Sequence, residues 1–314
     1  MATGQASLTA VDQIKYQTGV IESFARNKGS DLQNRCVVQN CTGDKETVFN
    51  KVGAVTVNET GQFGEGNFTV VNGTVVKLTE NTGYELTTIT VAPKSIYAGN
   101  FVNEDDYNKT MINLDQVIIN AQVDALNIAR DKKIVKAIAK GLTENDADLL
   151  IPATNKYGDK AVALTADMFV EAMEIARLML GTGERLTVIA DKSAIAKIKM
   201  DKTTTMLSQD FKDYFGLQTV GGTNVATGSI ITWRADILDE CVSAADGGAA
   251  ADTATVGRMF VLVDKTVGIA TWSDSVTGQI TYHSEKSQYL LKSKISVGAT
   301  ILDPYGIFVI EYKK

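Results

Sequence analysis

The stretch from Thr47 to Val91 constrains this chain most, because it is rich in strand formers and poor in anything that could build a core. Val, Thr, Phe and Tyr alternate there with polar residues and glycine punctuates the run, a period-two pattern that predicts strands. Phe68–Val71 and Thr74–Lys77 flank Asn72-Gly73, the strongest short hairpin signal a sequence carries. Tyr84–Val91 alternates again. A second candidate turn, Gly61-Gln-Phe-Gly-Glu-Gly66, holds three glycines and is the more flexible of the two. Between Val57 and Val76 the large apolar residues, valines aside, are Phe63 and Phe68. A two-stranded ribbon of this kind is marginal in water by itself. It is either a small β lobe resting on a core or a projecting hairpin that completes its burial on another subunit. On the second reading the candidate tip residues are Gly61, Phe63, Gly64, Gly66, Asn72 and Gly73.

The rest of the chain has the opposite character. Leu114, Val117, Ile118, Ala121, Ala125, Ile128, Ala129, Val135 and Ile138 recur at three- and four-residue intervals, and Gly141 supplies a stop. The spacing predicts a helix from Met111 to Lys140, more than twice the ordinary length and therefore a structural beam. A second helix begins after Thr165, a good N-cap, and runs through Phe169, Met173, Ala176 and Leu180. Arg185–Ala190 reads as a buried strand feeding a helix from Ser193 to Met200. Strand-like runs at Ser229–Trp233 and Met259–Val263 complete a mixed α/β lobe, with Ala244–Thr255 as a surface loop. Strands at Gln279–Tyr282, Gln288–Leu302 and Ile307–Tyr312 close the chain. At the other end, Val11–Lys28 reads as a short amphipathic helix with Ile14, Ile21 and Phe24 on one side, preceded by ten loose residues.

Chemistry is conspicuously thin. The 314 residues carry one histidine, His283, set in an alternating strand pattern, so a nucleophile–histidine arrangement has only a strand residue to draw on. Cys36, Cys41 and Cys241 are an odd number without zinc-ligand spacing and read as reduced thiols. There is no Gly-Lys-Thr/Ser phosphate loop, and Gly61, Gly64 and Gly66 lack the strand-turn-helix setting of a dinucleotide site. The acidic runs Glu104–Asp106 and Glu144–Asp148 lack the spacing of a calcium loop. No catalytic, cofactor-binding or metal-ligating residue is therefore expected. A net charge of −6 opposes a sequence-independent grip on phosphate backbones. No apolar run reaches the roughly 20 residues of a membrane span, and the first ten residues do not read as a secretory signal.

Four stretches, taken in order, carry a resemblance. Gln17–Leu32 is similar to the opening helix of the major capsid proteins of short-tailed bacteriophages. Ile96–Asp105 is similar to the return from an extended loop into a long helix. Leu186–Ile195 looks like the strand-to-helix entry of an axial lobe, and Lys292–Ile301 like a last peripheral strand. In this order they resemble the tailed-bacteriophage major capsid proteins of the Hong Kong 97-type fold, an α+β class.

The resemblance implies a domain plan: an N-terminal arm (1–35), a peripheral strand (36–46), an extended β-hairpin loop (47–92), and a peripheral domain with a spine helix (93–163). An axial domain (164–272) and closing peripheral strands (273–314) follow. It further implies self-assembly into hexamers and pentamers of an icosahedral head shell enclosing double-stranded DNA, without sequence-specific binding and without a membrane. The other implied partners are a scaffolding protein, a portal protein and a decoration or cement protein, with assembly in the cytoplasm of a bacterial host. The chain shows no long cleavable N-terminal extension like the founding member's, which points to the separate scaffold. Encapsulin-type shells share the fold and are the nearest alternative. An α/β enzyme or adhesin with an inserted β-domain is the alternative from another class.

Overall fold

A computed structural model of the chain describes residues 18, 20, 32–43, 46–52, 68–71, 74–77, 86–104, 114–143, 149–180, 186–200, 217–220, 223–226, 228–243 and 251–314. The chain divides into two compact units, residues 48–90 and the remainder.

The larger unit is built on two main sheets, beside which β9 (Leu217–Val220) and β10 (Thr223–Ala226) form an antiparallel pair. In the first, β7 (Lys156–Ala163), β8 (Leu186–Asp191), β11 (Gly228–Trp233), β12 (Val256–Val263) and β15 (Ile307–Lys313) lie in the order β11-β8-β12-β15-β7. The β11–β8 and β15–β7 pairs are parallel, and the other pairs are antiparallel. Its central strands are apolar on both faces, and alternate residues enter different cores. Phe260 and Leu262, Ile307 and Val309, and Ile189 belong to one. Met259 and Val261, Phe308 and Ile310, and Val188 belong to the other. A near-continuous hydrophobic run is what a strand covered on both sides requires. The second core is closed by α2 (Ala166–Leu180) and α3 (Lys192–Met200), through Phe169, Met173, Ala176, Ile195 and Ile198.

The second sheet has the order β1-β13-β14-β6, from β1 (Val37–Cys41), β13 (Val267–His283), β14 (Gln288–Ile301) and β6 (Lys94–Asn103). The spine helix α1 (Leu114–Lys140) lies against it. At 1.5 Å per residue its 27 residues span about 40 Å. Leu126, Ile134, Val135, Ile138 and Ala139 of this helix share one core with Ile269, Ile295 and Val297 of the second sheet and with Phe260 and Val309 of the first. One continuous apolar cluster thus joins both sheets, with α4 (Ala235–Val242) adding Leu238, Cys241 and Val242.

Gln122 fixes the helix to the sheet with polar bonds. Its Nε2 donates to the Leu291 carbonyl (2.9 Å) and to Asn100 Oδ1 (3.2 Å), and its Oε1 accepts from Ser293 Oγ (2.5 Å). Val20, one of two described residues in the expected opening helix, is buried with Ile119 and Val123 of α1 and with Ile280, Tyr289 and Leu291.

The helix expected after Thr165 has its cap: Thr165 Oγ1 accepts from the Met168 N–H. Gly141 ends α1, its N–H reaching the Ile138 carbonyl at 3.1 Å. A side chain there would collide with Ile301 and the Leu149 carbonyl.

Three strands differ from the sequence expectation. β15 pairs with β12 and β7 instead of closing the sheet of β13 and β14. Its Ile307–Ile310 run is apolar on both faces, and among the described residues the five-stranded sheet is the one with a core on each face. β7, expected within the peripheral portion, is the edge strand of that same sheet. β13 begins at Val267, well before the expected Gln279, and crosses the anticipated domain boundary at 272. Its two halves are separated by Ser273-Asp-Ser-Val276, where the register with β14 shifts between Trp272 and Thr277. That polar interruption hides one long strand as two short ones.

The smaller unit contains two strand pairs. β2 (Thr47–Val52) pairs with β5 (Leu86–Val91), and β3 (Phe68–Val71) with β4 (Thr74–Lys77).

Candidate functional site

Among the described residues the candidate sites are surfaces. The first is the 48–90 unit. Its β3–β4 pair is antiparallel, with Phe68 opposite Lys77 and Val71 opposite Thr74. The two-residue connection is the length that Asn-Gly favours. Phe49 and Ile89 are buried while Val48 is exposed, so the β2–β5 pair keeps the inside–outside alternation of its sequence. Gly61, Phe63, Gly64, Gly66, Asn72 and Gly73 lie outside the described residues.

The second surface is the face of the four-stranded sheet that carries Tyr97 (55% exposed) and Phe101 (59% exposed). Strand pairing sets Tyr97 opposite Lys294 and Phe101 opposite Leu290. Lys292 Nζ lies 4.3 Å from the Tyr97 ring centroid and Lys294 Nζ 5.8 Å from it, both within cation–π range. His283 stands at the end of β13, exposed, with its ring centroid 5.8 Å from that of Phe101. Lys292 and Lys294 lie on this face, Lys94 falling on the helix-covered one, and neither Lys94–Asn103 nor Gln288–Ile301 contains an acid, so the face is locally basic on an acidic chain. Sequence reasoning treated Ile96–Asp105 as a connection and passed over this face. The signal was present in the period-two spacing of Tyr97, Gly99 and Phe101, with Gly99 obscuring it.

The cysteines have structural surroundings. All three are free thiols. Cys36 donates to the Leu32 carbonyl at 3.3 Å, and burial, together with the charges of Asp131 and Asp264, pushes its thiol up to about 12. A thiol so suppressed is a poor nucleophile. Among the described residues no group of three or more His, Cys, Asp or Glu side chains is placed to hold a metal. No described helix is long and apolar enough to cross a membrane.

Two sheets joined through one core, a long helix laid across one of them and a separate strand-rich unit define a subunit whose features are surfaces for association. The sequence profile of the phage capsid protein family matches residues 8–314, nearly the whole chain. The chain belongs to that family. It is a major capsid protein, a structural component of the virion whose copies associate into the head shell.

Solved structures agree on the fold. The capsid of cyanophage P-SCSP1u superposes with a TM-score of 0.59 at 14% identity, covering 91% of this chain and 88% of that one. The capsid of Ralstonia phage GP4 gives 0.56 at 12% identity, covering 100% and 96%. A virus-like particle from Pyrococcus furiosus gives 0.53 at 12% identity, covering 95% and 98%. No curated protein matches the chain.

Proposed function

We propose that the chain assembles into hexamers and pentamers of an icosahedral head, and that residues 48–90 are the arm by which one copy engages the next. The observation that carries this reading is the separation of residues 48–90 into their own compact unit, built from two-stranded pairs. Such pairs need further strands or side chains for stability in water, and in a closed ring each neighbour supplies them in the same way. Gly61, Phe63, Gly64, Gly66, Asn72 and Gly73 are the proposed tip. The domain plan is kept in outline as arm, extended loop, peripheral domain with α1 as spine, and axial domain, with β7 and β15 assigned to the axial five-stranded sheet and β13 running across the boundary at 272.

The shell encloses double-stranded DNA in the cytoplasm of a bacterial host, and a scaffolding protein, a portal and a decoration protein are the proposed partners. A net charge of −6 suits a wall that contains DNA without adhering to it. The test is negative-stain microscopy of the chain expressed alone and with its scaffold. Mixed-size or aberrant shells alone and uniform shells together are expected; uniform full-size shells from the chain alone contradict the scaffold requirement.

A further inference from the structure

At the β7 edge of the five-stranded sheet, four charged side chains close a ring. Lys160 Nζ lies 3.2 Å from Asp252 Oδ2, and Asp252 Oδ1 accepts from Arg258 Nη2 at 2.6 Å. Arg258 Nε donates to Glu311 Oε1 at 2.8 Å, and the same Glu311 oxygen lies 3.6 Å from Lys160 Nζ. The members come from four places: β7, the turn at residues 251–255, β12 and β15. Arg258 is the foundation, its side chain only 3% exposed, and its Nη1 has no hydrogen-bond partner among the described residues. A buried guanidinium already short of one partner depends strongly on the carboxylates it retains.

The backbone under this ring is irregular. β7 and β15 stay in parallel register from Lys156 opposite Val309 to Asp159 opposite Tyr312, and then Lys313 falls opposite Ala163. Lys160, Ala161 and Val162 are the extra residues of a bulge. Gly158 leads into it with φ +87°, where a Cβ would fall against the Glu311 carbonyl oxygen. Within the bulge the Ala161 N–H donates to Asp159 Oδ1 at 2.8 Å, and Val162 is left 45% exposed. The residues of the turn are exposed or half-buried. The turn is held by the Asp252 carbonyl, which accepts from the Thr255 and Val256 N–H groups, and by Lys314, whose N–H donates to the Thr255 carbonyl.

We propose that this ring of ion pairs is a latch that pins the β7 bulge and the 251–255 turn to the sheet, and that opening it frees both while the sheet's centre stays folded. A charged, bulged edge is a poor template for a further strand, so the latch also keeps this edge from pairing with another chain.

The key is the Asp252 carboxylate, which ties the turn to Lys160 and Arg258, while Glu311 bridges the same two cations from β15. Partial burial works to raise its pKa, but the hydrogen bonds from Arg258 and Lys160, with their charges, outweigh that and hold it below the ordinary carboxylate range. The charged groups around it are Lys160 on β7, Arg258 on β12 and Glu311 on β15; beyond them Lys314 pairs with Asp239 at the end of the chain. A carboxyl depressed in the folded state contributes stability that is complete above its unfolded pKa and is lost as pH falls through the folded value. The latch is therefore closed at neutral pH and opens in acid, below about pH 4.

Hydrogen exchange followed by mass spectrometry on the full chain tests this. Asp252→Asn at pH 7 should lower protection about tenfold or more in peptides covering 156–163 and 251–256, while α1 and β8 stay within about twofold. Corrected for intrinsic rates, wild-type protection in the same peptides should fall as the pH drops below about 4, with no such step in the variant. Lys160→Gln, an exposed change, should loosen 156–163 and leave 251–256 protected. Unchanged protection in Asp252→Asn, or in Lys160→Gln should Asp252→Asn unfold, overturns the latch.

Discussion

The strand Val256–Val263 and the segment 48–90 are both β structure, yet they are stabilised in opposite ways. Every residue of Val256–Val263 is buried, alternate side chains entering two cores within one subunit. Residues 48–90 form two-stranded pairs in a unit of their own, and their sequence offers few large apolar side chains. A strand that carries its own hydrophobic run folds with its chain. A strand that carries threonine, valine and glycine turns waits for a surface to cover it. On the proposed reading that surface belongs to another copy, so the same secondary structure would serve subunit stability in one region and assembly in the other.

This contrast breaks most visibly at Phe260, which is fully buried in the cluster joining the two sheets. Phe260→Ala should cost about 3–5 kcal/mol of subunit stability, read as a drop in the denaturation midpoint with little change in slope. A loss below about 1 kcal/mol would mean that the two sheets do not depend on their common core.

A smaller effect is expected at Gln122, where the hold on the helix is polar. Gln122→Ala removes the bonds to the Leu291 carbonyl, Asn100 and Ser293, and leaves buried Ser293 Oγ without its acceptor. The expected cost is about 1–3 kcal/mol, measured by the same denaturation. Because the apolar contacts of α1 remain, the variant should still fold.

Strong local periodicity was legible in the sequence. Helix α1 shows itself in the spacing from Leu114 to Ile138, the β3–β4 pair in the Asn72-Gly73 dipeptide, and α2 in its Thr165 cap. What was hidden depends on long-range partners. β7 is mostly polar and exposed, and it is a strand because β15 lies beside it. The placement of β15 follows from which sheet is covered on both faces, a property of the whole fold. α4 is only eight residues long and gives periodicity little room. The basic, aromatic sheet face needed β6 and β14 to be paired before Tyr97 and Lys294 could be seen to meet. The ring around Arg258 joins residues from 160 to 311, a separation at which no local pattern operates.

The smallest effect on the subunit should come from the region with the largest effect on assembly. Deleting Gly61–Gly66 leaves untouched every residue of the core that joins the two sheets, so circular dichroism and the denaturation midpoint should match the parent chain. Each ring repeats the lost contact, so even about 1–2 kcal/mol per copy multiplies around a capsomer. Sedimentation of the deletion variant beside its circular dichroism is the most direct measurement. A folded, soluble subunit that no longer forms shells is the predicted result, and an unfolded chain, or shells formed as before, would contradict the assignment of 48–90 to assembly.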